Sequence, residues 1–373
     1  MDDSLKAIAE NRSARPALWH VIALAVVLIV GVATRFYKLD VAPPGLYYDE
    51  AFYALDAVSV RHGAQPIYFE ANNGREPLFI YSVALSQSLL GDTVLAVRII
   101  AAIYGSLALL SGYGAARALF GGRVALFATA LQATSLWAIQ FSRIGLRATT
   151  VPFVFGLLLL TLAYGWRTRR RGLLILGGAL LGLCFYTYIA ARLIPLVFIA
   201  LGILWWIFKR ETFPRWDWIT AVTVPALIVA APMMIYAATH VDLYIGRAGQ
   251  VAIPIDAVIA NLPRVVAMFF WHGDDNWRHN LSGRPVFDPV TALAFAAGLA
   301  WLVWRLWKTR DLRAALVLIW LVVFSLPTIF SDRAPHFLRA IGLMPVVFLP
   351  AALALERVAK GWGPGIDGPQ TAD

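Results

Sequence analysis

An all-α, polytopic membrane protein of about ten transmembrane helices is predicted by three features of this sequence. Only 14% of its 373 residues are charged while 60% are hydrophobic, and a soluble domain of this length carries nearly twice that charge. The apolar residues gather in runs of roughly 16 to 22 residues without Asp, Glu, Lys or Arg, the length that crosses about 30 Å of hydrocarbon as helix. The short connectors between runs alternate in character, one set compact and basic, the other mixed in charge and rich in aromatics.

Taken in order, the charge-free runs fall at about 16–34, 99–116, 124–142, 148–166, 172–191, 193–208, 218–239, 289–304, 314–331 and 340–355. The first, "ALWHVIALAVVLIVGVAT", is long enough to span and has no Ala-x-Ala cleavage site after it. It is therefore expected to be a retained first helix behind a tail at 1–15. The connectors "ARALFGGR", "WRTRRRG", "KRETFPRW", "WKTRDLR" and "ERVAK" are all basic and, with the N-terminal tail, define one side. The positive-inside rule assigns that side to the cytoplasm. An even span count puts both termini there, with residues 16–356 as one transmembrane domain and 357–373 as a cytoplasmic, disordered tail. The net charge of +10 follows this topology, so nucleic acid is not an expected partner. The single cysteine, Cys184, excludes an intramolecular disulfide.

The opposite side receives the long segments 35–98 and 240–288, with "SRIGLR" (142–147), "YIAAR" (188–192) and "SDRAPHFLR" (331–339). The 15-residue run "PLFIYSVALSQSLLG" (77–91) carries Ser82, Ser86, Gln87 and Ser88. Counted as a span it would invert every later loop, so an amphipathic helix along the interface is expected.

Within 35–98, "GLYYDEAFYALDA" (45–57) sets Asp49 and Glu50 before an apolar-periodic stretch that ends at Gly63. Asp49 is in position to cap a short helix, with Glu50 a first-turn acid favoured by the dipole. A carboxylate held among aromatics at a membrane surface also loses water, and its basicity rises toward that of a general base. "QPIYFEANNGREPLFIY" (65–81) adds Glu70, Arg75 and Glu76; guanidinium groups suit a phosphate.

At these residues a resemblance becomes specific. Asp-Glu after the first span, "REPLFIYSVALSQSLLG", Arg98 opening the second span, "SRIGLR", "GDDNWRHNLSGRP" (273–285) and "PHFLRAIGLMP" (335–345) stand in the same order, over about 16–355, as in another group. The chain resembles the polyprenyl-phosphate-dependent glycosyltransferases, membrane enzymes of the C fold (GT-C, glycosyltransferase family 39) that include protein O-mannosyltransferases and aminoarabinose transferases. The resemblance implies a GT-C bundle whose outer loops carry the site, and transfer of sugar from a polyprenyl-phosphate carrier to an acceptor protein, lipid or glycan. It places the catalytic acid at Asp49, with Glu50 beside it. Where relatives often have Lys before a Pro, this chain has Glu76 preceded by Arg75, so Arg75 is the replacement cation to consider.

The remaining outer residues are candidate contacts for substrate or carrier phosphate. Tyr53 lies one helical turn beyond Asp49. Arg143 and Arg147 are spaced for one helical face, and Arg192 follows "YTYIAA". Asp274, Arg278 and His279 stand in "WHGDDNWRHN", and His336 and Arg339 open the last run. His and carboxylate suit zinc or manganese, but no His pair stands at i,i+4 on a helix. No metal site is assigned and no cofactor is expected. Two other functions stay open on sequence grounds: a lipid or sugar transporter or flippase, and a non-catalytic relative.

Overall fold

The computed structural model describes residues 18–72, 74–244 and 253–361. Among them eight helices are long and apolar enough to cross a membrane, and a ninth candidate is a bent pair. The first is α1 (Leu18–Phe36). Two shorter helices, α2 (Tyr48–Arg61) and α3 (Leu78–Leu90), occupy the long loop that follows. Next come α4 (Val94–Phe120) and the bent pair α5 (Gly122–Thr134) and α6 (Leu136–Arg143). The chain continues through α7 (Thr150–Thr168), α8 (Arg171–Leu183), α9 (Ile194–Lys209) and α10 (Trp216–Thr239). Beyond them, α11 (Ile255–Ala267) lies in the second long loop. The chain closes with α12 (Pro289–Thr309), α13 (Leu312–Ile329) and α14 (Leu349–Gly361). The last span opens at Ile341 with a tight turn and the short helix Met344–Val347, and runs to Gly361. The tail expected at 1–15 and residues 362–373 of that expected at 357–373 lie outside the described residues, whereas residues 357–361 continue α14.

The run predicted at 124–142 is broken. Its two helices meet at 59°, because Ser135 is extended and its side chain accepts the Ala138 N–H of the new turn. The break frees carbonyls that hydrocarbon cannot satisfy. Buried Arg35, at the end of α1, reaches Gln132 O (3.3 Å), Ala133 O (3.4 Å) and the Ser142 hydroxyl (3.2 Å).

The run predicted at 172–191 is shorter than a full span as helix, Arg171–Tyr186. It nevertheless returns from one end of the bundle to the other. It starts at the far end of α7, which with the turn before it forms a span of 22 residues, Arg147–Thr168, about 33 Å long. It leads to Tyr188, which lines one cavity with Arg147 at the near end of α7. Its Gly178 and Gly182 let α10 approach to backbone distance: a Cβ on either would meet Val222 O at 2.2 Å or Ala226 O at 2.5 Å. Small residues four apart are the usual means of such packing. Gly178→Leu should lower the melting temperature in detergent and cost about 1–3 kcal/mol by overpacking. An unchanged melt would mean that the helices separate freely.

The basic connectors share one end. Arg313 donates to Leu119 O, Arg310 stands over Phe208 and Arg357 over Trp301. The mixed-charge segments meet at the other end, and every candidate site residue lies there. In that second group α11, which the polar appearance of 240–288 hid, is docked by Asn261, whose amide donates to Ile329 O (2.9 Å) and Ser331 O (2.8 Å).

Candidate active site

The site is built on α2. The helix begins at Tyr48 with its N-cap at Tyr47, two residues earlier than a cap at Asp49 requires. Asp49 is therefore inside the first turn with its carboxylate free to point away. Glu50 supplies the cap instead, accepting the Tyr47 N–H at 2.8 Å.

Glu50 is wholly buried, and its other bonds explain how it is tolerated there. Arg98, in the first turn of α4, donates to it at 3.0 and 3.3 Å, and the Gly145 N–H at 2.8 Å. Arg98 also donates to Pro43 O and Gly45 O. A Cβ at Gly145 would stand 2.4 Å from Val97 and 3.2 Å from a Glu50 oxygen, so the approach needs glycine. A buried carboxylate is tolerable when paired and fully hydrogen-bonded. Glu50, expected beside Asp49 in the chemistry, thus ties three segments together behind it.

Asp49 faces an open cavity of about 440 Å³, lined also by Tyr53, Leu146, Arg147, Ala148, Tyr188, Arg278 and Leu338. The Arg278 guanidinium donates to Asp49 Oδ2, and both side chains are partly exposed. No other hydrogen bond to Asp49 forms among the described residues. Among the described residues Asp49 is the only carboxylate on the wall. Arg147 is held by Glu76 (2.7 Å), the Tyr53 hydroxyl (2.8 Å) and Gly74 O (3.3 Å), with its guanidinium 5.2 Å from the Tyr188 ring. Burial, with Asp49 adding to it, raises the Tyr53 phenol above its ordinary pKa although Arg147 opposes, so it stays protonated.

Glu76 is buried and does not reach the cavity; its second oxygen accepts from Arg192 at 3.4 Å. Arg192 lies 3.5 Å over the Tyr244 ring and donates to Tyr244 O. Arg75, considered as a replacement cation, is wholly buried, 2.8 Å from Asp56 and stacked over Phe52. Burial lowers the Arg75 pKa and raises that of Asp56. The cavity is lined instead by Arg147, from far along the chain and held by Glu76.

Arg143 and Arg147 do not share a helical face. The helix stops at Arg143, Ile144 and Leu146 are extended, and Arg147 opens a new turn. Arg143 donates to Thr34 O (2.8 Å), Arg35 O (3.3 Å) and Ala42 O (2.8 Å), capping the carbonyl end of α1 as a cation there should. It does not line the cavity.

The second loop closes the site through a chain of bonds. Asp274 accepts the Asn276 N–H (2.9 Å), the Phe337 N–H (2.7 Å) and His279 Nδ1 (2.7 Å). Arg278 Nε donates to His279 Nε2 at 3.1 Å. Burial would raise the Asp274 pKa, but these donors hold it below the carboxylate range. Burial lowers the His279 pKa, with Arg278 assisting against Asp274. His336 is pushed down to about 3, by burial first and then by His279 and Arg339. Arg339 turns away to Ser331 (2.5 Å) and Asp332 (3.0 Å).

Asp274, His279 and His336 offer donor atoms within 4.8 Å of one another, a set that would suit a divalent metal by type. The arrangement does not fit one well. Asp274 and His279 are bonded to each other, and the Arg278 guanidinium lies against the remaining His279 nitrogen.

Of the sequence-predicted residues, Asp49, Tyr53, Arg147 and Arg278 share the cavity wall. Glu50, Glu76, Arg192, Asp274 and His279 stand behind it, and Arg75, Arg143, His336 and Arg339 are engaged elsewhere. Two residues went without roles. Arg98 was visible as a lone charge opening an apolar run and marks the partner of Glu50. Tyr188 carried no signal.

The helical bundle has the fold of solved membrane proteins of low sequence identity. Residues 74–236 match the family described as dolichyl-phosphate-mannose-protein mannosyltransferase. ArnT from Cupriavidus metallidurans, solved bound to undecaprenyl phosphate, is similar with a TM-score of 0.65 and 20% identity, over 91% of this chain and 60% of that one. The Archaeoglobus fulgidus oligosaccharyltransferase AglB, solved with an inhibitory peptide and a dolichol-phosphate, is similar at 0.59 and 16%, over 95% and 53%. The chain thus spans between half and two thirds of the length of these solved relatives. No curated protein sequence matches it.

Proposed function

We propose that the protein is an integral-membrane glycosyltransferase that moves a sugar from a polyprenyl-phosphate carrier to an acceptor hydroxyl. The observation carrying this reading is the cavity wall: one carboxylate, Asp49, between Arg147 and Arg278. A transporter would be expected to hold its ionisable groups near the midplane of the bundle, whereas here they gather at one end. The fold shared with ArnT and the family match support the same reading.

In this scheme the carrier phosphate lies against Arg147 and Arg278, which neutralise the charge that grows as it leaves. Asp49 takes the proton of the acceptor hydroxyl as its oxygen attacks the anomeric carbon. The carbon–phosphate-oxygen bond breaks, the new glycosidic bond forms, and the proton passes from Asp49 to water. Tyr53 and Tyr188 give the sugar apolar faces and a phenol for hydrogen bonding. Glu50 and Glu76 position Asp49 and Arg147. The basic connectors assign their end to the cytoplasm, with both termini there and the site on the outer face of the cytoplasmic membrane. There α3 would lie along the interface.

The experiment is transfer by the purified protein from a panel of polyprenyl-phosphate sugars, with the product configuration read by NMR. A retaining double displacement uses two carboxyl groups about 5–5.5 Å apart, and this wall has one. The expected product is therefore inverted at the anomeric carbon. A retained product would overturn the single displacement, and no transfer from any donor would overturn the function.

A further inference from the structure

We propose that Asp274 and His279 are positioning residues that act through Arg278, fixing its Nε so that its terminal nitrogens pivot between Asp49 and the carrier phosphate. This rests on the glycosyltransferase reading and deepens it.

The geometry is a continuous relay. Asp274 Oδ2 lies 2.7 Å from His279 Nδ1, His279 Nε2 lies 3.1 Å from Arg278 Nε, and Arg278 Nη1 meets Asp49 Oδ2. Each link fixes the next. The carboxylate can only accept, so Nδ1 carries the proton. Nε2 of the neutral ring then has only a lone pair, the acceptor that Arg278 Nε–H needs. The ring is oriented by more than this pair, since it stacks 5.7 Å from Phe141 and lies 4.7 Å from His336. Asp274 is itself fixed by the Asn276 and Phe337 N–H groups. Neighbouring side chains along a chain seldom face each other, so a bond between Arg278 and His279 reflects the turn built around them.

An arginine has five donors on a flexible stem. With Nε held, the guanidinium can rotate only about that point, and its free edge sweeps the cavity. In the structure it covers Asp49. The phosphodiester of the carrier offers two charged oxygens to the free guanidinium nitrogens, and when they turn to it Asp49 is exposed to the acceptor. The relay thereby favours carrier binding before acceptor binding.

The test is binding of undecaprenyl phosphate, with undecaprenol as the uncharged control, to the full chain in lipid nanodiscs. The variants are H279A, H279F, H279Q and R278A. H279F keeps a ring against Phe141 with neither nitrogen, so it serves if H279A does not fold. H279Q returns an amide near the Nε2 position. Removal of a hydrogen bond to a charged group should weaken undecaprenyl phosphate binding about tenfold in H279A or H279F, and H279Q should restore most of it. R278A/H279F should bind no more weakly than R278A, because residues acting in series are not additive. Binding by H279F equal to wild type, or a further loss in the double variant, would overturn the relay. Binding that requires added manganese or zinc, with that requirement gone in H279F, would make the pair metal ligands and overturn it too. Wild-type protein that does not distinguish undecaprenyl phosphate from undecaprenol would instead overturn the glycosyltransferase reading and the relay with it.

Discussion

Asp49→Asn is expected to reduce sugar transfer by about 10²–10⁴, the share of catalysis that a positioned general base supplies. The substitution keeps size and shape, so the cavity should stay intact. Asp49 is partly exposed and its one bond, to Arg278, is also partly exposed. Such a pair contributes at most about 1 kcal/mol, and the protein should insert and melt as wild type does. Binding of the carrier should persist or tighten, because the guanidinium that covered Asp49 is released. Single-turnover transfer, measured beside the melting curve, separates these effects. Wild-type transfer by the variant would remove Asp49 from the chemistry.

Arg98→Ala should give the largest loss of folded protein. Glu50 would keep its two backbone donors but lose its one cationic partner among the described residues while remaining fully buried. Leaving such a charge uncompensated costs about 3–5 kcal/mol. Pro43 O and Gly45 O would lose their donor at the same time, which loosens the segment that leads into Asp49. The expected readouts are low yield in membranes and a sharply reduced melting temperature in detergent. Normal yield with transfer alone abolished would instead make Arg98 and Glu50 part of the chemistry.

These two predictions divide an Asp-Glu pair that looks uniform in the sequence. A two-residue difference in where α2 starts turns Glu50 into the cap and frees Asp49. Helix ends are the least legible feature of a sequence, since neighbouring registers differ by little energy. The same limit explains Arg143 and Arg147. Their spacing shares a face only in an unbroken helix, and the break after Arg143 follows from tertiary contacts at both sides. The second half of the site was harder still to read. Arg147 is aimed by Glu76, and Arg278 reaches Asp49 across most of the chain.

The apolar runs by themselves determined a polytopic helical bundle, because lipid leaves the backbone of a spanning segment no partner but its own helix. The sorting of basic from mixed connectors likewise separated the two ends, and Asp49 stood out among them as the acid to test. Tertiary structure alone decided which charges face the cavity and which stay behind it. A buried guanidinium or carboxylate must find partners wherever the packing brings them. Those partners lie 48 residues away for Glu50 and Arg98, and 229 for Asp49 and Arg278, separations at which no local pattern of sequence is left to read.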